Sequence, residues 1–315
     1  MRLGIDLGGT KIEIIALDNN AVIYRKRVAT PQGDYPATLA AITKLVQAAE
    51  LKVGLKAEFK AGAQPELTAK EPASIGIGIP GVISADTQKV KNANSTCLIG
   101  KPLQHDLETL LARPVRIAND ANCFALSEAT DGAGQSGNVV FGVILGTGVG
   151  GGLVVNQHVL CGSNGITGEW GHNPLPWPTE TEYPGPVCYC GQKGCIETFI
   201  SGPGALQRHI ESSKDQHISS FAQVWEKAAT GCVASEDTCR TYIDRLAKSL
   251  ASVINILDPD IIVLGGGLSN IERLYSDVPE QWGRYVFSDS VKTSLRKAQH
   301  GDSSGARGAA WLWPE

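Results

Sequence analysis

The sequence lacks the features that would assign it to a membrane, a secretory route or a nucleic acid. No run of about 18 apolar residues occurs, and the chain does not open with a basic segment followed by an apolar core. Positive charge is not in excess, because 28 Lys and Arg stand against 32 Asp and Glu, a formal net charge of −4. We therefore expect a cytoplasmic protein with a small-molecule ligand, without nucleic-acid or membrane partners.

Disulfides are not expected in a chain of this length without a secretory signal, so the cysteines are predicted to be thiols or metal ligands. Cys188, Cys190 and Cys195 form a CxCGxxGC pattern downstream of His172. Three thiolates and one imidazole complete a tetrahedral set, which predicts a structural Zn²⁺. Redox chemistry of the CxC pair is the weaker alternative, since it leaves Cys195 and His172 without a role. The remaining cysteines are expected to be buried thiols: Cys97, Cys123, Cys161, Cys232 and Cys239.

The length of 315 residues favours two domains, and the order of the predicted elements favours an α/β fold. Apolar residues at helical spacing predict amphipathic helices over residues 39–49 and 243–257. The segments SIGIGIPG and VRIANDANCFALSEA predict buried strands, the second of which feeds a helix. Residues 55–72 show no period and are expected to form an exposed connection.

The stretch DLGGTK, between the first two predicted strands, allows two interpretations. A tight hairpin explains the two glycines, because glycine tolerates positive φ. A phosphate-binding turn explains the whole stretch: the glycines admit backbone N–H groups close to an anion, the threonine and lysine add a hydroxyl and a positive charge, and the aspartate suits a hydrated Mg²⁺. The residues concerned are Asp6, Gly8, Gly9, Thr10 and Lys11.

The same plan of strand, glycine-threonine turn and strand recurs in NVVFGVILGTGVGGGLVV. Its turn is richer in glycine than a hairpin requires, which favours a phosphate-binding turn in each of two related halves. A third glycine group ends the strand IIVLGGG, where ligands of open α/β sheets bind, although a plain strand-to-helix turn is an equal alternative there. The candidate nucleotide-binding residues are Gly146, Thr147, Gly148, Gly150, Gly265, Gly266 and Gly267.

Asp120, in IANDANC, lies where a predicted strand gives way to a helix. The ordinary interpretation is an N-cap, because Asp is common before a helix. The alternative is a general base, since the helix start keeps the carboxylate ionised and able to accept a proton from a hydroxyl that attacks phosphorus. Acidic and amide neighbours suit a polyol and favour the base with a sugar substrate: Asn119, Glu169 and Glu197.

These motifs together resemble those of the ROK family (repressor, open reading frame, kinase). DLGGTK resembles the family's first phosphate motif, GTGVGGG its second, LGGG its adenosine motif, and ExGH followed by CxCGxxGCxE its zinc signature. The resemblance implies the two-lobed actin/hexokinase-like (ribonuclease H-like) ATPase fold with an inter-lobe cleft, and a homodimer. It implies an N-terminal lobe over residues 1–119, a C-terminal lobe over 120–296, and a segment 297–315 that packs back on the N-terminal lobe.

Within the family, KNANSTCL and CYCGQKGCIETFISG look most like bacterial fructokinases of the manno(fructo)kinase type. This likeness implies transfer of the ATP γ-phosphate to the C6 hydroxyl of fructose, and of mannose as well, with Mg²⁺ and with Asp120 as general base. His172 then serves both the zinc and the sugar through its two ring nitrogens. Carried over by position, the residues that bind sugar hydroxyls are Asn119, Glu169, His172 and Glu197, with Asn94 and Gly81 as further partners.

Other functions within the family stay open at this point. Glucokinase and N-acetylglucosamine kinase are the near alternatives, because their hexoses differ from fructose and mannose at single carbons. A sugar-responsive regulator is the remote one, since relatives that bind DNA carry a helix-turn-helix ahead of the first phosphate motif, which here begins at residue 6. Two departures from the fructokinase pattern bear on the sugar side: Cys97 stands where tryptophan is usual, and the connection over 55–72 is long.

Overall fold

The computed structural model of the chain describes residues 1–61, 72–93 and 95–313. Within them the strands are β1 (Arg2–Leu7), β2 (Lys11–Asp18), β3 (Ala21–Ala29), β4 (Ser74–Ile79), β5 (Val82–Ile83), β6 (Val90–Lys91), β7 (Val115–Asn119), β8 (Val139–Leu145), β9 (Val149–Val155), β10 (His158–Val159), β11 (Ile261–Gly265) and β12 (Ser294–Lys297). The helices are α1 (Tyr35–Ala61), α2 (Leu103–Leu111), α3 (Asp120–Asp131), α4 (Glu197–Ile200), α5 (Gly202–Ser213), α6 (Phe221–Ala229), α7 (Val233–Leu257), α8 (Leu274–Trp282) and α9 (Ser304–Ala310).

The predicted connection over residues 55–72 is only partly covered by the described residues. Its first part is not a connection, because α1 continues as far as Ala61 through a stretch of leucine, lysine and alanine, which are good helix formers. Residues 62–71 lie outside the described part of the chain, and so does Asn94, one of the residues predicted to bind sugar.

The chain forms two compact units. The first comprises Met1–Asp131, Cys161–Ile166 and Asp302–Glu315, and the second comprises Gly132–Leu160 and Thr167–Gly301. The boundary follows Asp131, so α3 belongs to the first unit, whereas the sequence analysis assigned it to the C-terminal lobe beginning at residue 120. The cause is packing: α3 lies against α9 and against β4 and β7, all of which belong to the first unit.

The first unit is built on a mixed sheet in the order β3-β2-β1-β4-β7. β1, β4 and β7 are parallel, and β2 and β3 extend the sheet as antiparallel strands. α1 covers one face with the apolar positions that the periodicity predicts, because Ile42, Val46 and Ala49 are fully buried. Parallel strands end at one edge, so Asp6, the β4 end and Asn119 lie along the same edge of this sheet.

α9 packs on the opposite face of this sheet. Side chains alternate along a strand, so Leu3 and Ile5 join the core beneath α1 while Gly4 lies beneath α9. A Cβ at Gly4 would overlap the backbone of α9, so this close approach requires glycine. The helix is also held by Arg307, whose Nε donates to Asp131 Oδ1 over 2.9 Å.

The second unit repeats the plan with the sheet order β10-β9-β8-β11-β12. β8, β11 and β12 are parallel, whereas β9 and β10 are antiparallel. α7 buries the predicted stripe of Ile243, Leu246, Leu250, Val253 and Ile254. No helix in the described part of the chain combines the length and the apolar character that a membrane span requires.

Candidate active site

The first phosphate turn, residues Gly8 to Thr10, is held by the segment that follows β3. Thr30 donates its hydroxyl to Gly8 O over 2.7 Å and its N–H to Thr10 O over 3.0 Å, and Gln32 Nε2 donates to Gly9 O over 2.5 Å. All three turn carbonyls are therefore engaged. Among the described residues, the N–H groups of Gly9 and Thr10 have no partner, which leaves these two donors for an anion.

Positive φ is not the reason for the two glycines, so the hairpin interpretation of DLGGTK is wrong in that respect. Neither Gly8 nor Gly9 has a positive φ. A Cβ at Gly8 would lie 3.0 Å from Lys11 O, tighter than most side-chain contacts, whereas one at Gly9 would meet Ser95 Oγ at an ordinary 3.6 Å. Close backbone approach explains Gly8, whereas the space around Gly9 would admit a Cβ.

Two carboxylates flank this turn. Asp6 is the second-last residue of β1, and Asp120 begins α3. Burial raises the pKa of Asp6 to about 6, and the negative charges of Asp120 and Glu13 add to the rise, against Lys11 and Arg27. Repulsion of this kind is relieved by a divalent cation, so the residues present fit the predicted Mg²⁺.

Asn119 connects the candidate base to the end of β4. Its amide Nδ2 donates to Gly81 O over 3.3 Å, and its Oδ1 accepts from Ala121 N over 2.9 Å. The same Ala121 N–H also donates to Asp120 Oδ1 over 2.9 Å. Gly81 has φ of 141°, and a Cβ there would lie 2.8 Å from Lys91 O, so glycine is required. The first unit thus brings together the candidate base and two of the predicted sugar ligands, Asn119 and Gly81.

Glu13 is a charged residue of this region that the sequence analysis missed. It is fully buried in β2, and both Arg25 Nε and Arg27 Nε lie 2.6 Å from its carboxylate oxygens. The sequence does contain a signal for a buried charge, because an acidic residue occupies an inward position of the apolar strand KIEIIALD. Glu13 holds Arg27 near Asp6, where that arginine lowers the carboxyl pKa.

The second phosphate turn lies between β8 and β9. Gly146 N donates to Gly148 O over 3.0 Å, and Gly202 N donates to Gly146 O over 2.8 Å. Glu197 Oε2 accepts from Val149 N over 2.8 Å, and a Cβ at Gly148 would lie 2.8 Å from the same oxygen. The carboxylate of Glu197 therefore ties the residue after the metal loop to the phosphate turn, a contact that the sequence did not reveal.

The third glycine group lies beside this turn on the same sheet edge. Gly265 ends β11 and pairs with Ile144 of β8. Gly266 has φ of 81°, and a Cβ there would overlap Leu145 O, so only glycine fits. Gly267 then begins a 3-10 turn. The predicted adenosine motif and the second phosphate motif are thus neighbours, through the pairing of two parallel strands.

The predicted metal ligands meet in the second unit. The ligand atoms of His172, Cys188, Cys190 and Cys195 all lie within 4.8 Å of one another. Cys188 Sγ is 3.6 Å from His172 Nδ1, and Cys190 Sγ is 3.6 Å from Cys195 Sγ. Three sulfur donors and one nitrogen donor fit Zn²⁺, and they complete its four positions. Of the remaining cysteines, Cys123 and Cys239 are buried as expected, whereas Cys97 is half-buried and Cys161 and Cys232 are exposed.

His172 has two partners of different kinds. Its Nδ1 faces the thiolates, while its Nε2 lies 2.9 Å from Tyr189 Oη, with the two rings edge to face at 5.1 Å. Tyr189 itself is 83% exposed. The sequence analysis reserved the second nitrogen for sugar and overlooked this tyrosine, although it lies between two predicted ligands. Glu169 directly precedes the 3-10 turn that carries His172, so both share one short segment.

The chain is similar in sequence to a known protein family and to individual proteins. The sequence profile of the ROK family matches residues 2–315. The chain is 40% identical over 317 residues to an N-acetyl-D-glucosamine kinase from Yersinia pseudotuberculosis serotype O:1b (strain IP 31758), which covers 99% of this chain and 98% of that protein.

Two solved structures are similar over nearly the whole chain. The ROK hexokinase from Thermus thermophilus aligns with a TM-score of 0.82 at 28% identity, covering 99% of this chain and 97% of that one. A ROK glucokinase from Streptomyces griseus, in complex with glucose and AMPPNP, aligns with a TM-score of 0.72 at 26% identity, covering 99% and 98%. The predicted fold class, an α/β fold of the actin/hexokinase type, is confirmed, whereas the fructokinase resemblance is not confirmed.

Proposed function

The chain belongs to the ROK family, and from that premise we propose that it is a sugar kinase that transfers the γ-phosphate of ATP to the C6 hydroxyl of a hexose. The observation that carries the proposal is the edge formed by β1, β4 and β7. There the first phosphate turn, Asp6 and Asp120 lie together, and the charge of Asp120 raises the pKa of Asp6. A turn with free N–H donors beside two interacting carboxylates is suited to phosphoryl transfer.

Asp120 is the proposed general base. Its carboxylate accepts the proton of the C6 hydroxyl as that oxygen attacks the γ-phosphorus, and ADP leaves in line. Ala121 N–H, bonded to Oδ1 over 2.9 Å, orients the carboxylate for this transfer. Asn119 and Gly81, joined by their own hydrogen bond, are proposed to position other hydroxyls of the sugar.

Each unit carries glycine-rich turns that are the proposed phosphate-binding elements. Gly8, Gly9, Thr10 and Lys11 would provide N–H donors, a hydroxyl and a positive charge, and Asp6 would hold the waters of Mg²⁺. When bound, Mg²⁺ neutralises charge on the transferring phosphoryl group. In the second unit, the proposed nucleotide-binding residues are Gly146, Thr147, Gly148, Gly150, Gly265, Gly266 and Gly267.

Within the second unit, the residues proposed to bind sugar hydroxyls are Glu169, His172 and Glu197. A structural Zn²⁺ held by His172, Cys188, Cys190 and Cys195 would fix the loop between them. The hydrogen bond from Val149 N to Glu197 links that loop to the second phosphate turn, so sugar and nucleotide contacts share one support.

N-acetyl-D-glucosamine is the proposed acceptor, because a relative that is 40% identical over nearly the whole chain is named for it. Fructose, with mannose, is the second candidate, which the stretches KNANSTCL and CYCGQKGCIETFISG favour. Each candidate has a primary hydroxyl at C6, so one base serves them all. We also propose a cytoplasmic homodimer.

The direct test is sugar-dependent ADP release with Mg²⁺ and ATP across N-acetyl-D-glucosamine, fructose, mannose and glucose. We expect turnover to require a hexose and to show its highest kcat/KM with N-acetyl-D-glucosamine. NMR of the product should locate the phosphate on C6. A preference for fructose would favour the second candidate acceptor, and ADP release that no hexose stimulates would contradict the kinase assignment.

A further inference from the structure

A cavity of about 130 Å³ lies beside the first phosphate turn and has no role in the phosphate transfer described above. Two buried apolar side chains, Leu7 and Leu98, contribute to its lining, and Gly9 brings the turn backbone to it. The polar lining comes from Thr30, Gln32, Thr38, Ser95 and Thr96. A space with both apolar and hydrogen-bonding walls suits a small amphipathic group.

The polar groups of this lining fall into two sets. The hydroxyls of Thr30 and Thr38 already donate to backbone carbonyls, and so does Gln32 Nε2. Over residues 1–61, 72–93 and 95–313, the hydroxyls of Ser95 and Thr96 make no hydrogen bond, and Gln32 Oε1 accepts none. The residues that line the cavity therefore include two hydroxyls and one amide oxygen that have no partner among the described residues and can bond a ligand.

An acetamido group matches this set of atoms. Its carbonyl accepts from a hydroxyl, its N–H donates to an amide oxygen, and its methyl needs an apolar wall. The volume is adequate, because a cavity of about 150 Å³ holds a benzene molecule, which is larger than an acetamido group. A plain hydroxyl at the same carbon would leave the apolar part of the space unfilled.

The cavity and the proposed base lie in the same unit and share neighbours. Asn119, next to the base, bonds Gly81 O, and a Cβ at Gly81 would touch Ala93 at 3.0 Å. Ser95, two positions after Ala93 in the sequence, faces Gly9 across the cavity. In a hexopyranose, C2 lies across the ring from C5, which bears the C6 hydroxyl. A sugar with C6 at Asp120 can therefore direct its C2 substituent toward this cavity.

We propose that this cavity binds the 2-acetamido group of an N-acetylhexosamine, and that the small side chain of Cys97 keeps it open. The proposal rests on the proposed kinase function. Cys97 is half-buried in the lining, so a large side chain at this position would occupy the space that the acetamido group needs. Cys97 is thus a specificity-determining residue, and the tryptophan usual in fructokinases would close the subsite.

The first experiment needs no variant. Wild-type KM and kcat are measured for N-acetyl-D-glucosamine, for glucose, and for glucosamine with longer N-acyl chains. We expect KM for N-acetyl-D-glucosamine to be at least about tenfold below that for glucose, and each added methylene to raise KM about tenfold as the chain outgrows the cavity. A wild-type enzyme that prefers glucose or fructose, or ignores acyl length, overturns the subsite but leaves the kinase intact.

The second experiment compares Cys97→Trp with Ile99→Trp, a matched control on the same loop whose side chain is exposed and outside the lining. Cys97→Trp should raise KM for N-acetyl-D-glucosamine at least about tenfold, with kcat/KM for glucose within about threefold of wild type. Ile99→Trp should change neither. Equal losses for both sugars, or no loss for either, would overturn the proposal.

A second variant and a binding measurement distinguish failure of the subsite from failure of the proposed kinase function. If Cys97→Trp does not fold, Ser95→Ala tests the same subsite, and it should raise KM for N-acetyl-D-glucosamine about threefold or more but not KM for glucose. Calorimetric titration with N-acetyl-D-glucosamine needs no turnover. Absence of transfer to every hexose, with binding of this sugar lost in Cys97→Trp, would contradict the kinase and support the subsite, whereas absence of binding would overturn the subsite.

Discussion

At the scale of single residues, Asp6 and Asp120 show how two carboxylates at one sheet edge acquire different properties. Asp120 Oδ1 accepts a hydrogen bond from a backbone N–H at the start of α3, which orients the carboxylate. The pKa of Asp6 is raised to about 6 by burial and by the charges of Asp120 and Glu13. One carboxylate is therefore suited to accept a proton, and the other to meet a cation.

Replacing the proposed base by its amide should remove most of the turnover. In Asp120→Asn, kcat should fall by about a hundredfold or more, because an amide cannot accept the hydroxyl proton. KM for the sugar and the melting temperature should stay close to wild type, since the amide oxygen still accepts from Ala121 N–H. Steady-state ADP release checks this expectation, and a variant that retains near wild-type kcat would rule out Asp120 as the base.

Removing the charge of Asp6 should stabilise the protein in a pH-dependent way. The folded pKa, about 6, lies above the ordinary value of 3.8, so the folded state retains the proton longer than the unfolded state and wild-type stability falls as pH rises from about 4 to 6. Above pH 6 the whole cost is present. Without Mg²⁺ and ATP, Asp6→Asn should gain up to about 3 kcal/mol at pH 7.5 and almost nothing at pH 4.

Urea unfolding at the two pH values measures this gain, with Asp18→Asn at the exposed end of β2 as the control. The control should change stability by less than about 0.5 kcal/mol at either pH. A gain for Asp6→Asn that is the same at both pH values, or a loss at pH 7.5, would show that repulsion at this edge does not limit stability.

Tyr189 should compete with the sugar for His172. With Nδ1 on the metal, the neutral imidazole carries its proton on Nε2 and donates to Tyr189 Oη, 2.9 Å away. In Tyr189→Phe that donor becomes available to a sugar hydroxyl, so KM for the hexose should fall about two- to tenfold with kcat unchanged. Tyr183→Phe, at another exposed tyrosine of the same segment, is the matched control. A rise in KM for Tyr189→Phe would mean that the phenol itself binds the sugar.

At the scale of elements, the metal loop connects three functional groups. It carries His172 at one end and Glu197 at the other, and Glu197 bonds the second phosphate turn. Glu182, which lies within this loop, is anchored separately. Although burial acts the other way, hydrogen bonds from Arg245 and Lys248 of α7 lower the pKa of Glu182 to about 2. The loop thus has a permanent anchor at Glu182 and a metal-dependent one at the four ligands.

Loss of the metal should lower activity without unfolding the second unit. Cys190→Ser should lower the zinc content from one ion per chain to a small fraction and reduce kcat/KM at least about tenfold, because two proposed sugar ligands lose their support. Far-UV circular dichroism should change little, since the α7 core and its sheet do not depend on the metal. The control Cys232→Ser, at an exposed thiol outside the cluster, should keep its zinc. Full zinc content in Cys190→Ser would contradict the assignment of this ligand.

At the scale of the whole molecule, the first unit is assembled from both ends of the chain. α9 packs against β1, β2, β4 and α3, and Arg307 pairs with Asp131. Trp313 Nε1 donates to Ile75 O over 2.7 Å. The core of this unit is therefore incomplete without α9 and the residues that follow it as far as Trp313.

A chain that ends at Gly301 should not fold its first unit cooperatively. It lacks α9, so the backbone that covers Gly4 and Gly76 of the sheet is missing. The carboxylate of Asp131 also loses its ion pair with Arg307. We expect rapid proteolysis within residues 1–131 and loss of sugar-dependent ADP release, while fragments of the second unit persist. A chain that ends at Trp313 is the control and should match wild type. Resistance of the shorter chain to protease would show that α9 is dispensable.

Much of the fold and the chemistry of the site follow from local pattern. Helical periodicity located the buried faces of α1 and α7, glycine-rich stretches located the turns, and ligand spacing located the metal cluster. These signals depend on residues close together in the chain, where backbone geometry and donor chemistry leave few alternatives. The family and the α/β fold could therefore be predicted from the sequence.

What only the tertiary structure decided are contacts between residues far apart in the chain. The assignment of α3 to the first unit depends on α9, the bond between Glu197 and Val149 depends on how the metal loop folds back, and the Cys97 cavity depends on three separate segments. Local pattern does not encode these partners, because their free energy comes from packing and burial of surfaces that meet only in the folded chain. The sequence by itself determined which chemical groups are available, and the tertiary structure determined which of the residues that carry them lie in contact.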